Sequence, residues 1–257
     1  MPSYWSPYLL EPSLLAAWWC ADDLTPGAVA SWTSRVPSSI AVTASGTAQP
    51  THSNTAWTAS TIPLPGITFD GVANQLTNLT TTDIQKLPVT TVPGEIWSLA
   101  NNTSVVVGYK SIMRYGSFGT LDRLLYTNNN ARQDVTVGDG TTTLIASTSP
   151  PLTGSVIVAG TWGSSLISGR LNGAVLVPAS VSWGTSTNST RLAIGSHNGG
   201  APGHFWGGVL RHVIVVGGRP LTTQERQLLE GYLAWDGWST SAANPLPSNH
   251  PYKGGPP

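Results

Sequence analysis

The chain holds 257 residues at a net charge of zero, and only 9% of them are charged. That balance argues against nucleic acid and against an anionic membrane surface as partners, while 40% hydrophobic residues, 11 tryptophans among them, argue against disorder. The 28 glycines and 20 prolines suit many short strands joined by turns.

Residues 1–12 carry Tyr4, Trp5, Pro7, Tyr8 and Pro12, a composition that predicts an extended arm whose aromatic rings need something to pack on. Leu14 to Asp22 predicts the first strand. Strand alternation sets Trp18 and Trp19 on opposite faces, so one is expected inside and the other partly exposed or at an interface. Trp32 marks a short strand. Gly66 to Asn78 reads as a strand with Ile67 and Phe69 on one side and a turn at Asp70-Gly71.

Further strands are expected at Ile96–Leu99 and Val105–Tyr109, separated by an Asn101-Asn102-Thr103 loop. Others are read at Ile112–Tyr115, Leu121–Tyr126, Val135–Val137 and Thr142–Ser147, with a hairpin signal at Asp139-Gly140. Val156–Trp162, Leu166–Leu171 and Ala174–Val177 follow, the last two joined by Asn172-Gly173, a pair suited to positive φ at both positions. Strands of this length at this spacing predict two antiparallel sheets packed face to face.

Near the end, Val209, His212, Ile214 and Val216 fall close to alternate positions, as a half-buried strand requires, and Gly217, Gly218 and Pro220 stop the run. Thr222 with Glu225 three residues on is a capping box. Leu228, Leu229, Tyr232, Leu233 and Trp235 then form the apolar face of one helix. No linker-like shift interrupts residues 13–238, which predicts one domain between the 1–12 arm and a proline-rich tail at 239–257.

The segment GGVLRHVIVVGGRPLTTQERQLLEGYLAW resembles the closing strand and helix of laminin-G-like, concanavalin A-like jelly rolls. RLNGAVLVP and LAIGSHNGG are similar to the hairpin and loop before it. LLAAWWCADDL, ASWTSR, QPTH and GITFDGVANQLTN resemble the opening of the same domains, in order. The resemblance implies an all-β, two-sheet antiparallel sandwich with one short C-terminal helix. EGYLAW with the trailing LPSNHPYKGGPP looks like versions found in bacteriophage structural proteins. That implies a virion subunit (head fibre, decoration or tail-associated), with other virion proteins as partners and a homo-oligomer, by analogy a trimer.

The remaining features fit this expectation. The first residues carry Glu11 and no positive segment, unlike a secretory signal, and no apolar run approaches the ~18 residues of a membrane span. The single cysteine, Cys20, reads as a buried small hydrophobe in a chain made in a reducing bacterial cytoplasm and destined for the virion.

For chemistry, a retaining glycosidase needs two carboxylates about 5 Å apart. None of Glu11, Glu95, Glu225 and Glu230 has an acidic partner two or four residues away. No Gly-x-Ser-x-Gly elbow is present, and His52, His197, His204, His212 and His250 are scattered. The expectation is a chain without enzymatic activity, cofactor or metal. His212, among apolar neighbours, is read as structural.

Carbohydrate binding is the alternative function, with a depolymerising enzyme behind it. Sugars present apolar ring faces and many hydroxyls, so their sites pair aromatics with polar loop residues. The glycine-rich loop with His197, Asn198 and His204, followed by Trp206 and faced by Trp183, is the candidate for contacting a host surface polysaccharide.

Overall fold

The computed structural model describes residues 5–36, 39–88, 92–103, 109–117, 121–128, 133–135, 146–148, 154–163, 166–176, 178–180, 191–196, 204–240 and 242–257. The first strands are β1 (Leu15–Cys20), β2 (Gly27–Ala28), β3 (Ser31–Thr33), β4 (Ala41–Thr43), β5 (Thr51–Trp57), β6 (Leu64–Asp70) and β7 (Leu76–Asn78). A one-turn α1 (Thr81–Ile84) leads to β8 (Gly94–Asn102), β9 (Tyr109–Ser117), β10 (Leu121–Asn128), β11 (Gln133–Val135) and β12 (Ala146–Thr148). Then come β13 (Gly154–Trp162), β14 (Leu166–Leu171), β15 (Ala174–Val175), β16 (Ala179–Ser180), β17 (Arg191–Ile194), β18 (Gly207–Gly217) and α2 (Thr223–Trp238).

Two antiparallel sheets stack face to face. One has the main order β15-β14-β13-β8-β18-β6-β5-β2, with β1 also on β18 and β16 on β14. The other runs β10-β9-β17-β7-β4-β3. Between them lies a core that includes Trp19, Trp32, Phe69, Tyr115, Trp162 and Trp206. This is the expected two-sheet antiparallel sandwich with a short C-terminal helix. Asn172 and Gly173 both adopt positive φ, 49° and 84°, as their turn requires.

The helix adds a third layer. Leu229, Leu233, Ala234 and Trp238 of α2 pack with Trp18, Trp57, Trp97 and Ile214 on the outer face of the first sheet. The capping box forms as read: Thr222 accepts from the Glu225 amide, and the Glu225 carboxylate accepts from the Thr222 amide. Three ion pairs also stitch α2 to strands, among the described residues: Arg226–Glu95 at 2.7 Å, Glu230–Arg170 at 2.6 Å and Asp236–Arg211. Among the described residues no helix is long and apolar enough to cross a membrane.

This third layer corrects two expectations. Trp18 and Trp19 are both buried, where one of the two was expected to be partly exposed or at an interface, because α2 covers the outer face on which Trp18 lies. Likewise β18 is buried on both faces rather than one. Two further differences concern turns. Residues 66–78 divide at the Asp70-Gly71 turn into β6 and β7, which belong to different sheets. Asn101 and Asn102 are the end of β8, paired with Val209 and Gly208, so only Thr103 leaves the ladder. The expected strand at Val105–Tyr109 lies largely outside the described residues, as do the Asp139-Gly140 hairpin and most of Thr142–Ser147.

Residues 5–10 and the 242–257 segment meet on α2. The Trp5 amide donates to the Pro257 carbonyl at 3.1 Å. Trp5 packs edge-on against Tyr232, Tyr8 against Trp18, and Leu246 is buried in the layer under the helix. The aromatic arm and the tail thus find their packing surface on this same chain.

Candidate functional site

The site begins with an irregularity in β18. Its register against β8 shifts between Leu210, opposite Ala100, and His212, opposite Leu99, leaving Arg211 as the extra residue of a β-bulge. Leu210 and Val213 face the inner core, while Val209 and Ile214 face α2. The bulge therefore sends two consecutive side chains, Arg211 and His212, toward the helix.

Both reach Asp236 in the last turn of α2. Arg211 grips it in a bidentate pair through Nε and Nη2, and His212 Nε2 lies 2.8 Å from Asp236 Oδ2. Arg211 also donates to both Asp22 oxygens, at 2.8 and 3.2 Å, and to the Pro65 carbonyl at 2.9 Å. Burial opposes ionisation of Asp236, but the hydrogen bond from His212 and the charge and hydrogen bonds of Arg211 outweigh it and hold the carboxyl well below its usual range.

His212 Nδ1 receives the indole N–H of Trp18 at 3.2 Å. An indole nitrogen only donates, so Nδ1 accepts and the ring proton sits on Nε2, toward Asp236. Burial disfavours a charge on this ring, while Cys20 and Asp236 favour one, toward a pKa of about 9. The Trp18 bond overrides them, because a second proton on Nδ1 would face the indole N–H. His212 is thus neutral in this arrangement, and its structural role is that of an orienter of Asp236.

Above this network lies a cleft of about 400 Å³, lined by Trp5, Tyr232, Trp235, Asp236, Ser239, Pro256 and Pro257. Its aromatic walls are fixed. Trp235 Nε1 donates to the Tyr252 carbonyl at 2.8 Å, and Tyr232 is set edge-on to both Trp5 and Trp18. Burial pushes the Tyr232 hydroxyl up, so it stays protonated. Ser239, in the left-handed region at φ 57°, is hydrogen-bonded to Ser60 and Thr61. Asp236 shows 21% of its side chain to the cleft, with acceptor capacity beyond the bonds it already accepts.

The loop expected to bind sugar is only partly described: His197, Asn198 and Trp183 lie outside the described residues. His204 sits half-buried ahead of β18, its pKa lowered by burial and by Arg114 and Lys110. Trp206 corrects its expectation. It is 0% exposed in the inner core, where no ligand can stack on it. The cleft residues Trp5, Trp235 and Asp236 were not singled out from the sequence as binding groups. The readable signal was the three-residue step from Val209 to His212, where the period of two slips by one.

No family model and no curated protein matches this sequence. Solved structures do. Trypanosoma rangeli sialidase in complex with a 2,3-difluoro-KDN matches at TM-score 0.58 and 15% identity, over 92% of this chain and 36% of that one. The same organism's sialidase as a covalent intermediate with 2,3-difluorosialic acid matches at TM-score 0.54 and 16% identity, over 83% and 32%. A sialidase CBM40 domain from Ruminococcus gnavus, bound to sialyllactose, reaches a TM-score of 0.43 at 17% identity over 53% of this chain and 82% of that one, too slight to argue from.

This chain spans about a third of the length of the sialidase chains it matches. The matches correct the expectation of a chain without enzymatic activity: structures of enzymes are among those it resembles, so the lack of an acidic partner two or four residues from each Glu is no ground for that exclusion. At such low identity the likeness establishes the fold, a β-sandwich, for this chain.

Proposed function

We propose that this chain is a carbohydrate-binding β-sandwich domain and that the cleft beside α2 is its sugar site. One observation carries the reading: Trp5, Tyr232 and Trp235 line the cleft around the oriented carboxylate of Asp236. A pyranose needs an apolar wall for its C–H face and fixed acceptors for its hydroxyls, and this cleft offers both. Its volume lies in the range of small-molecule sites, roughly 300–1,000 Å³.

Titration of the full chain with a panel of neutral, amino and acidic oligosaccharides, read by tryptophan fluorescence and calorimetry, tests the reading. Trp5→Ala and Trp235→Ala are expected to weaken binding at least about tenfold, the loss of one stacked ring. Binding that survives both but fails in His197→Ala/Asn198→Ala would move the site to the loop. No binding by the native chain would reject the function.

The finer reading as a virion subunit that meets host polysaccharide rests on the sequence resemblance alone. Its test is the presence of the chain, as a homo-oligomer, in purified phage particles.

A further inference from the structure

We infer that the cleft selects a sugar bearing a protonated amino group over a neutral or an acidic one. The inference rests on the reading of the cleft as a sugar site and adds its specificity. It follows from a count of charges at the cleft floor. Arg211 is shared between two carboxylates, Asp22 and Asp236, each of which it meets through two hydrogen bonds. One cation thus faces two anions.

Among the described residues the only further group on Asp236, His212, brings no charge, because the Trp18 hydrogen bond keeps Nδ1 unprotonated. The nearby Arg35 is matched by its own bidentate partner, Asp23, at 2.7 and 2.8 Å. Tyr232 is neutral. One negative charge is left over on this triad: Asp22, 39% exposed, turns outside the cleft lining, and Asp236 turns 21% of its side chain into the cleft between aromatic rings.

Both features attract the same ligand chemistry. An ammonium group gains from the uncompensated carboxylate and from the faces of Trp5 and Trp235. A sugar carboxylate meets the same surplus charge as repulsion. The acidic sugars in the matched sialidase structures are therefore a poor guide to what this cleft takes.

The experiment titrates the full chain with a glucosamine tetramer, its N-acetylated counterpart and sialyllactose, at pH 6 and low salt. The deacetylated tetramer is expected to bind about tenfold tighter than the acetylated one, with sialyllactose weakest. Asp22→Asn leaves the cleft lining untouched and removes the surplus charge, so it should abolish the preference. High salt should shrink the preference in the native chain, an arm that needs no folded variant.

Equal affinity for the two tetramers overturns the inference and leaves the sugar reading standing. A preference that persists in folded Asp22→Asn and in high salt also overturns it. Tetramethylammonium binding as tightly as the amino sugar would make the cleft an alkylammonium cage and overturn both, as would no binding by any probe.

Discussion

Trp18 and His212, 194 residues apart in sequence, are joined by a buried hydrogen bond that settles the proton inventory of the network beneath α2. Trp18→Phe removes the donor and frees Nδ1. The ring should then take a second proton, its pKa moving up in the direction that Cys20 and Asp236 favour against burial. An NMR titration of the imidazole C–H signals checks this: native His212 should show no protonation step near neutral pH, and the variant should show one above pH 7.

Where a Cβ on Gly231 would sit, Tyr252 has its own Cβ 2.7 Å away. The tail can lie on α2 only because the helix has no side chain there. Gly231→Ala forces the two apart at a cost of about 1–3 kcal/mol, despite alanine's better helix propensity. Thermal melting should show the loss, and protease digestion should find the 239–257 segment newly susceptible. A variant as stable as the native chain would place the tail elsewhere in solution.

The cap of α2 gives a pH signature. Arg219, above all, holds Glu225 down to a pKa of about 2, helped by the Thr222 amide and opposed by slight burial. A depressed carboxyl stabilises the fold above its unfolded pKa, near 4.5, and loses that contribution as pH falls toward 2. Denaturant melts between pH 6 and 2 should therefore show a fall that is shallower in Glu225→Gln. Thr222→Ala, which deletes the side-chain cap, should cost about 1 kcal/mol at pH 7.

Glu230 is fully buried and meets Arg170 at 2.6 Å and His250 at 3.2 Å. Removing one partner leaves the other charge stranded, so Arg170→Met should destabilise by about 3–5 kcal/mol. The double variant Arg170→Met/Glu230→Leu leaves no buried charge stranded, only His250 Nε2 without its Glu230 partner, and should recover part of that loss. Chemical denaturation at pH 7 measures both. A double variant as weak as the sum of the singles would mean that the pair does not act as a unit.

Much of the sandwich was legible because its signals are local. Asn172-Gly173 and the Thr222–Glu225 box each need only two to four residues of context, and both formed as read. The outer layer was not legible in the same way. Alternation assigns Trp18 a face, but only the packing of α2 decides that this face is dry. Trp206 looked like a ligand platform for the same reason, since a tryptophan after a polar loop reads alike whether it turns inward or outward. The cleft unites Trp5, residues 232–239 and the last prolines, and nothing local in any of them announces the others.

The bulge at Arg211 has an evolutionary corollary. Strike out that residue, and the remaining order Val209, Leu210, His212, Val213, Ile214 alternates outward and inward without a break. The inner core would keep every one of its contributions from β18. The charged floor of the cleft thus hangs on a strand lengthened by a single codon, which a lineage could gain or discard in one event while its sandwich stayed as it was.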